Sequence, residues 1–176
     1  MMSAQFLIDT SALARLMRPG AESFGWDQAV AAGLIAVCPI TELEFFYSAR
    51  SARDREDTFA SLRAAFGWVP VHDGAYARAW EVQGELTAVG QHRSAGPVDL
   101  VIAATAELFG LTLLHHDRDF ATIAGVTGQA LRWYGPDAGA LALAGQPGAG
   151  IQQRRNAPGD RTVTRWLTIF RGILQT

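Results

Sequence analysis

Apolar residues in this chain alternate between short dense runs and stripes at helical spacing. Residues 5–9 (QFLID) form a short apolar run ending in an acid, and the helical pattern ALARLM follows until Pro19-Gly20 stops it. A second helix is expected over about 22–32, then a buried strand at 34–39 (LIAVCP) closed by Pro39. Thr41 is placed to cap a helix running through ELEFFYSAR, with Glu44 three positions on completing a capping box. Residues 54–66 set Phe59, Leu62 and Phe66 on one helical face, and WVPV at 68–71 reads as a third strand.

Residues 74–90 form a longer helix, and QHRSAG is a polar loop. Pro97 suits a first helical turn, with Asp99 just behind it, and opens the apolar helix LVIAATAELF, which Gly110 ends. LTLLHH at 111–116 is a fourth strand, HDRDF turns into a short helix reaching about Ala124, and ALRWY at 130–134 suits a last edge strand. Strands alternating with helices imply an α/β fold with a parallel sheet covered on both faces. Beyond Pro136 the sequence becomes Ala/Gly/Pro-rich, which suggests a disordered linker. Trp166, Ile169, Phe170 and Ile173 then keep the spacing of a short terminal amphipathic helix. The division is one domain over 1–136 and a tail over 137–176.

Composition narrows the class. Hydrophobic residues make up 49% and charged residues 18% of 176 positions, as in a soluble globular domain. No apolar run is long enough to span a bilayer and the first residues lack a signal-peptide pattern, so a cytoplasmic, non-membrane protein is expected. The one cysteine, Cys38, sits in an apolar run and reads as core. All 15 basic residues are arginine. Without lysine there is no Walker phosphate loop and no Schiff-base chemistry. Residues 1–137 hold 16 acids against 10 arginines, whereas 138–176 hold one against five. An acidic body does not grip nucleic acid by bulk charge, but it can recruit metal ions to meet phosphate.

Four acids stand where that chemistry would need them. Asp9 ends the first strand, Asp117 lies just past the fourth, and Glu42 and Asp99 occupy first turns of helices. Taken singly, an acid in a first turn is explained by the helix dipole and by capping. Together, the expected topology sends all four to the rim at the carboxyl ends of the strands, where open α/β sheets bind ligands. Carboxylates massed without lysine are best tolerated around Mg²⁺ or Mn²⁺, hard cations that prefer oxygen donors. Such an ion can activate water for attack on a phosphodiester.

FLIDTSAL, TELEF, PVDLVIAATAELFGLTLLHHDRDF and VTGQALRW, in this order over about residues 5–134, resemble the PIN-domain ribonucleases, more narrowly the VapC-type toxins of bacterial type II toxin–antitoxin pairs. The resemblance implies a three-layer α/β/α sandwich with a central, mostly parallel sheet of four to five strands. It implies a Mg²⁺-dependent endoribonuclease, with Mn²⁺ a substitute, that cuts RNA, pairs with itself as a homodimer and is neutralised by a VapB-type antitoxin. Position by position it makes Asp9, Asp99 and Asp117 the metal ligands, and Glu42 a catalytic helper holding a bound water or a second ion.

Neighbouring residues carry two readings each. Thr10 or Ser11 can hydrogen-bond the metal shell or the phosphate, and Ser11 can equally cap the following helix. Asp119 stands either just behind the ligands or as the cap of a helix starting at Phe120. His92, Arg93 and Arg118 are candidates for RNA phosphate contact or ordinary solvated side chains. His115 and His116 beside Asp117 lack the cysteines or spaced histidines that zinc prefers. Trp26, Trp68, Trp80, Phe45, Phe46 and Tyr47 read as core or interface packing rather than base-stacking platforms. In the family an antitoxin segment fills the groove beside the acids, and the apolar surface of the 41–50 and 54–66 helices suits such a partner. The rivals are a catalytically inactive PIN-like module that only binds RNA or protein, a receiver domain, disfavoured by the missing lysine, and a phosphoaspartyl hydrolase, which would want an aspartate at Ser11.

Overall fold

Five short strands build one sheet in the order β3-β2-β1-β4-β5, all parallel: β1 (Phe6–Ile8), β2 (Ile35–Val37), β3 (Gly67–Trp68), β4 (Thr112–His115) and β5 (Leu131–Trp133). The computed structural model describes residues 4–18 and 20–135. The linker and amphipathic helix expected over 137–176 lie outside the described residues. Among the described residues seven α-helices connect and cover the strands: α1 (Thr10–Leu16), α2 (Asp27–Ala31), α3 (Pro39–Phe46), α4 (Ala52–Ala65), α5 (Ala75–Ala88), α6 (Pro97–Leu108) and α7 (Asp119–Thr127). None is long and apolar enough to cross a membrane.

Because successive side chains of a strand point to opposite faces, the sheet separates two cores. Phe6 and Ile8 pack with Leu13, Leu16, Trp26, Val30, Leu62 and Phe66 on one side. Leu7 and Leu113 pack with Val82, Leu86, Ile102, Phe120 and Ile123 on the other. The alanines of α6 at 103, 104 and 106 are all buried and let it lie close to its neighbours. Gly110 ends that helix with φ 65°, a left-handed conformation that an L side chain resists; Leu111 N–H then reaches back to the Ala106 carbonyl. The chain drops straight into β4.

Local departures from the sequence expectation have identifiable causes. The helix expected over 22–32 is broken into a 3-10 turn, Ala21–Phe24, and α2, with Gly25 at φ 75° between them. The third strand stops at Trp68, ahead of Pro70, which has no N–H to give a ladder. α3 begins two residues before Thr41, with Pro39 in its first turn, so Thr41 is not its cap. The Thr41 hydroxyl is buried and donates to the Ile8 carbonyl at 3.1 Å, pinning α3 to the end of β1. Cys38 is fully buried, its Sγ 3.5 Å from the same hydroxyl.

Candidate active site

β1 lies between β2 and β4, and the chain leaves it toward β2 while β4 enters on its other side. This is the point where strand order reverses, and crevices in open parallel sheets form there beyond the carboxyl ends. Asp9 and Asp117 stand at that edge. The Asp9 N–H donates to the Leu114 carbonyl at 3.0 Å, continuing the β1–β4 pairing one residue beyond the strand.

Asp9 is the N-cap of α1. Its Oδ1 accepts from Ala12 N at 2.9 Å and its Oδ2 from Ser11 N at 3.0 Å. Only 4% of the residue is exposed, and burial raises its pKa above the ordinary carboxylate value, against the lowering effect of Ser11, Ala12 and nearby His115. Ser11 is therefore not the cap. Its Oγ accepts from His116 N at 3.0 Å and ties α1 to the residue before Asp117.

Asp99 lies in the first turn of α6, and its Oδ2 accepts from Gly96 N at 2.9 Å. Burial raises its pKa; the Gly96 bond lowers it; the negative charges of Glu44, Asp117 and Asp119 raise it further. Asp117 is exposed, and its Oδ1 accepts from Asp119 N at 3.1 Å. The N-cap of α7 is Arg118, which makes no side-chain capping bond, and Asp119 is the first residue of the helix rather than the residue ahead of it. Desolvation and the charge of Asp117 raise the Asp119 pKa.

The two glutamates of TELE are divided between two places. Glu42, expected among the acids, is 6% exposed and engaged elsewhere. Its Oε2 accepts from Arg63 Nη2 at 3.0 Å and from Trp68 Nε1 at 3.3 Å. Arg63 Nε lies 3.0 Å from Oε1, poorly aligned as a hydrogen bond and acting as an ion pair. The Arg63 guanidinium also sits over the rings of Phe59 and Trp68. Glu44, which the sequence reading placed in a capping box, accepts a hydrogen bond from the Thr10 hydroxyl and contributes to the field at Asp99. The structure therefore brings Asp9, Thr10, Glu44, Asp99, Asp117 and Asp119 to one rim and leaves Glu42 out of it.

Two positions apart on a helix means about 200° of rotation, so Glu42 and Glu44 cannot share a face. Thr41 was the available signal. It faces β1, and a residue three positions on lies about 60° from it, on the β1 side.

All donors at the rim are oxygens, and among the described residues none of these carboxylates forms an ion pair with an arginine. That unrelieved negative charge suits a hard divalent cation. Among the described residues no trio of His, Cys, Asp or Glu side chains is drawn together tightly enough to hold an ion as it stands. Asp117 and Glu44 are exposed.

His115 is buried, its ring against Phe120 and Trp133, and its Nδ1 donates to the Asp117 carbonyl at 2.7 Å; burial lowers its pKa. Arg93 and Arg118 are exposed, the first in the turn before α6 and the second between Asp117 and Asp119. Of the aromatic residues, Trp26 is fully buried, whereas Trp80 (78% exposed) and Tyr47 (94%) are on the surface and contribute no core.

Residues 6–126 match the family model of the PIN domain. Over 132 residues, 75% of this chain and 95% of the relative, the sequence is 41% identical to ribonuclease VapC21 of Mycobacterium tuberculosis. Ribonuclease VapC18 of the same organism is 39% identical over 133 residues, covering 74% of this chain and 96% of its own. Among solved structures, DNA-bound VapBC from Salmonella typhimurium superposes with a TM-score of 0.60 at 17% identity, covering 76% of this chain and all of that one. VapBC2 from Rickettsia felis, bound to a promoter DNA fragment, gives 0.60 at 18%, covering 74% and 98%. At such identities the structures speak for the fold alone, a sheet flanked by helices.

Proposed function

The chain belongs to the PIN-domain family, and from that premise we propose that it is the toxin of a toxin–antitoxin pair, a metal-dependent endoribonuclease hydrolysing phosphodiester bonds of RNA. The observation that carries this reading is the 41% identity to a named ribonuclease over nearly that protein's whole length, in a chain whose acids converge at one sheet edge.

Asp9, Asp99 and Asp117 would hold the ion, with Glu44, rather than Glu42, as the helping carboxylate. When bound, Mg²⁺ or Mn²⁺ supplies activation of water and neutralisation of charge at the phosphate. The protein's own part is positional. The N–H groups of Ser11 and Ala12 fix both oxygens of Asp9, and Gly96 N–H fixes one oxygen of Asp99. Thr10 orients Glu44 across 34 residues of sequence. Ser11, by holding His116 N–H, keeps the segment leading to Asp117 against α1. Asp119 adds negative charge behind Asp117, and Arg93 and Arg118 meet backbone phosphates on the rim.

The partner is a VapB-type antitoxin. Leu43 (65% exposed) on α3, Tyr47 just past its end and Phe59 (40%) on α4 offer apolar surface to it. A homodimer is part of the same proposal.

Incubation of the purified protein with total bacterial RNA, in Mg²⁺ and in EDTA, tests the reading. Discrete cleavage products in Mg²⁺ that are absent in EDTA and with Asp99→Asn support it. Intact RNA under every metal condition, from protein that still binds its partner, favours the inactive binding module.

A further inference from the structure

Beside the acid rim, on the α1 side, a cavity of about 320 Å³ is lined by Arg15, Arg18, Gly20, Ala21, Phe24 and His116. We propose that it receives one nucleotide of the RNA adjacent to the cleaved bond, the base against Phe24 and the phosphate against the two guanidiniums. The proposal rests on the ribonuclease reading and adds a subsite to it.

Charge is the first argument. The described body of this chain is acidic, and three of its other arginines are committed to carboxylates: Arg63 to Glu42, Arg78 to Glu81, Glu85 and Glu107, and Arg53 to Asp57. Arg15 and Arg18 form no ion pair with a described residue. Among the described residues the Arg15 guanidinium bonds only the Ser11 carbonyl, from Nη1 at 2.8 Å, which holds it at the cavity wall with other donors to spare. Two guanidiniums that pair with no carboxylate among the described residues, beside a site that must accept a polyanion, match phosphate.

Shape is the second argument. The rest of the wall is largely apolar and includes two rings. Phe24 is half-buried and braced by Tyr134, with ring centroids 5.4 Å apart. His116 is braced by Trp133 at 4.4 Å, and its Nδ1 donates to the Tyr134 carbonyl at 2.8 Å. With Nδ1 donating to that carbonyl, Nε2 is the ring nitrogen left to hydrogen-bond a base. Rings held in place by other rings form a low-entropy platform for stacking, and stacking with an arginine alongside is how single-stranded nucleic acid is gripped.

Continuity with the rim is the third. Ser11 N–H holds Asp9, the Ser11 carbonyl holds Arg15, and Ser11 Oγ holds His116, whose next residue is Asp117. One residue therefore joins the cavity wall to two of the acids. A strand of RNA with its scissile phosphate at the acids has a neighbouring nucleotide within reach of Phe24.

The test is titration of the full-length Asp99→Asn protein, in EDTA, with the dinucleotide pApA and separately with inorganic phosphate, read by calorimetry. Stacking on one aromatic ring strengthens the binding of a base about tenfold or more. Phe24→Leu, which keeps an apolar wall without the ring, is accordingly expected to weaken pApA about tenfold and leave phosphate binding as it was. Arg18→Ala, at an exposed position, weakens both. Equal pApA affinity in all three proteins overturns the proposal. So does a Phe24→Leu protein, folded by its thermal midpoint, that binds pApA as tightly as its parent while Arg18→Ala does not, because that pattern describes an anion site and no nucleotide site. In the cleavage-competent protein, Arg18→Ala is expected to raise KM about tenfold and to relax the nucleotide preference next to the cut. If the parent cleaves no RNA, the ribonuclease reading fails, while the titration in EDTA still decides the cavity.

Discussion

Thr10, the first residue of α1, donates its hydroxyl hydrogen to the Glu44 carboxylate of α3, while two residues earlier Glu42 turns to Arg63. A four-residue stretch of sequence thus divides its two acids between a reactive rim and a structural ion pair. Loss of Glu44 is expected to damage catalysis and loss of Glu42 the fold. Glu44→Gln lowers the RNA cleavage rate about 10- to 100-fold, the range for groups that support a metal site, with little change in thermal midpoint. Glu42→Gln does the reverse. Steady-state cleavage and thermal melts of the two proteins side by side check both halves.

Arg63→Ala removes the cation from a nearly buried glutamate. Breaking a fully buried pair costs about 3–5 kcal/mol, but Arg63 is 36% exposed and water recovers part of that, so about 1–2 kcal/mol is expected in urea unfolding. Double substitution with Glu42→Gln should cost less than the sum of the two single changes, since the stranded charge is then gone.

How much of this was legible in the sequence depends on whether the signal was a boundary or a rotation. β1 and β4, the acids at their ends and the helix opened by Pro97 could all be read, because apolar runs, Pro and Gly mark boundaries directly. The choice between Glu42 and Glu44 could not be read in the same way. It depends on the rotation of α3 about its axis, set by Thr41 bonding the Ile8 carbonyl, a contact 33 residues apart in sequence. Thr41 as the cap would start the helix at Glu42, three residues past its actual start at Pro39, and would give Glu44 a capping role. The nucleotide cavity was equally hidden, since Arg15, Phe24 and His116 come from three separate segments that only the fold brings together.

Burial and the surrounding negative charges hold the Asp99 pKa above its ordinary 3.8. A folded-state value above the unfolded one means the native protein keeps the proton longer. The contribution of Asp99 to stability is therefore fully present below the ordinary carboxylate value, is lost as pH rises through the raised value, and stays lost above it. In EDTA, Asp99→Asn is expected to melt at a higher temperature than the parent at pH 7. The advantage should disappear when both are melted below pH 3.8. A lower midpoint for Asp99→Asn at pH 7 would show that the carboxylate supports the fold.

Metal binding should offset the same repulsion. A ligand at a hundred times its Kd stabilises the native state by about 2.7 kcal/mol. Saturating Mg²⁺ is expected to raise the parent's thermal midpoint, with the shift strongly reduced by Asp9→Asn or Asp117→Asn and retained by Glu42→Gln.

The central claim is that the acids gathered around Asp99 cut RNA. Expression of the parent and of Asp99→Asn in bacteria, followed by sequencing of RNA 5′ ends, tests it most directly. Growth arrest with new 5′ ends at a defined site for the parent, and neither with Asp99→Asn, is the predicted result. The same new ends appearing at undiminished levels with Asp99→Asn would contradict it.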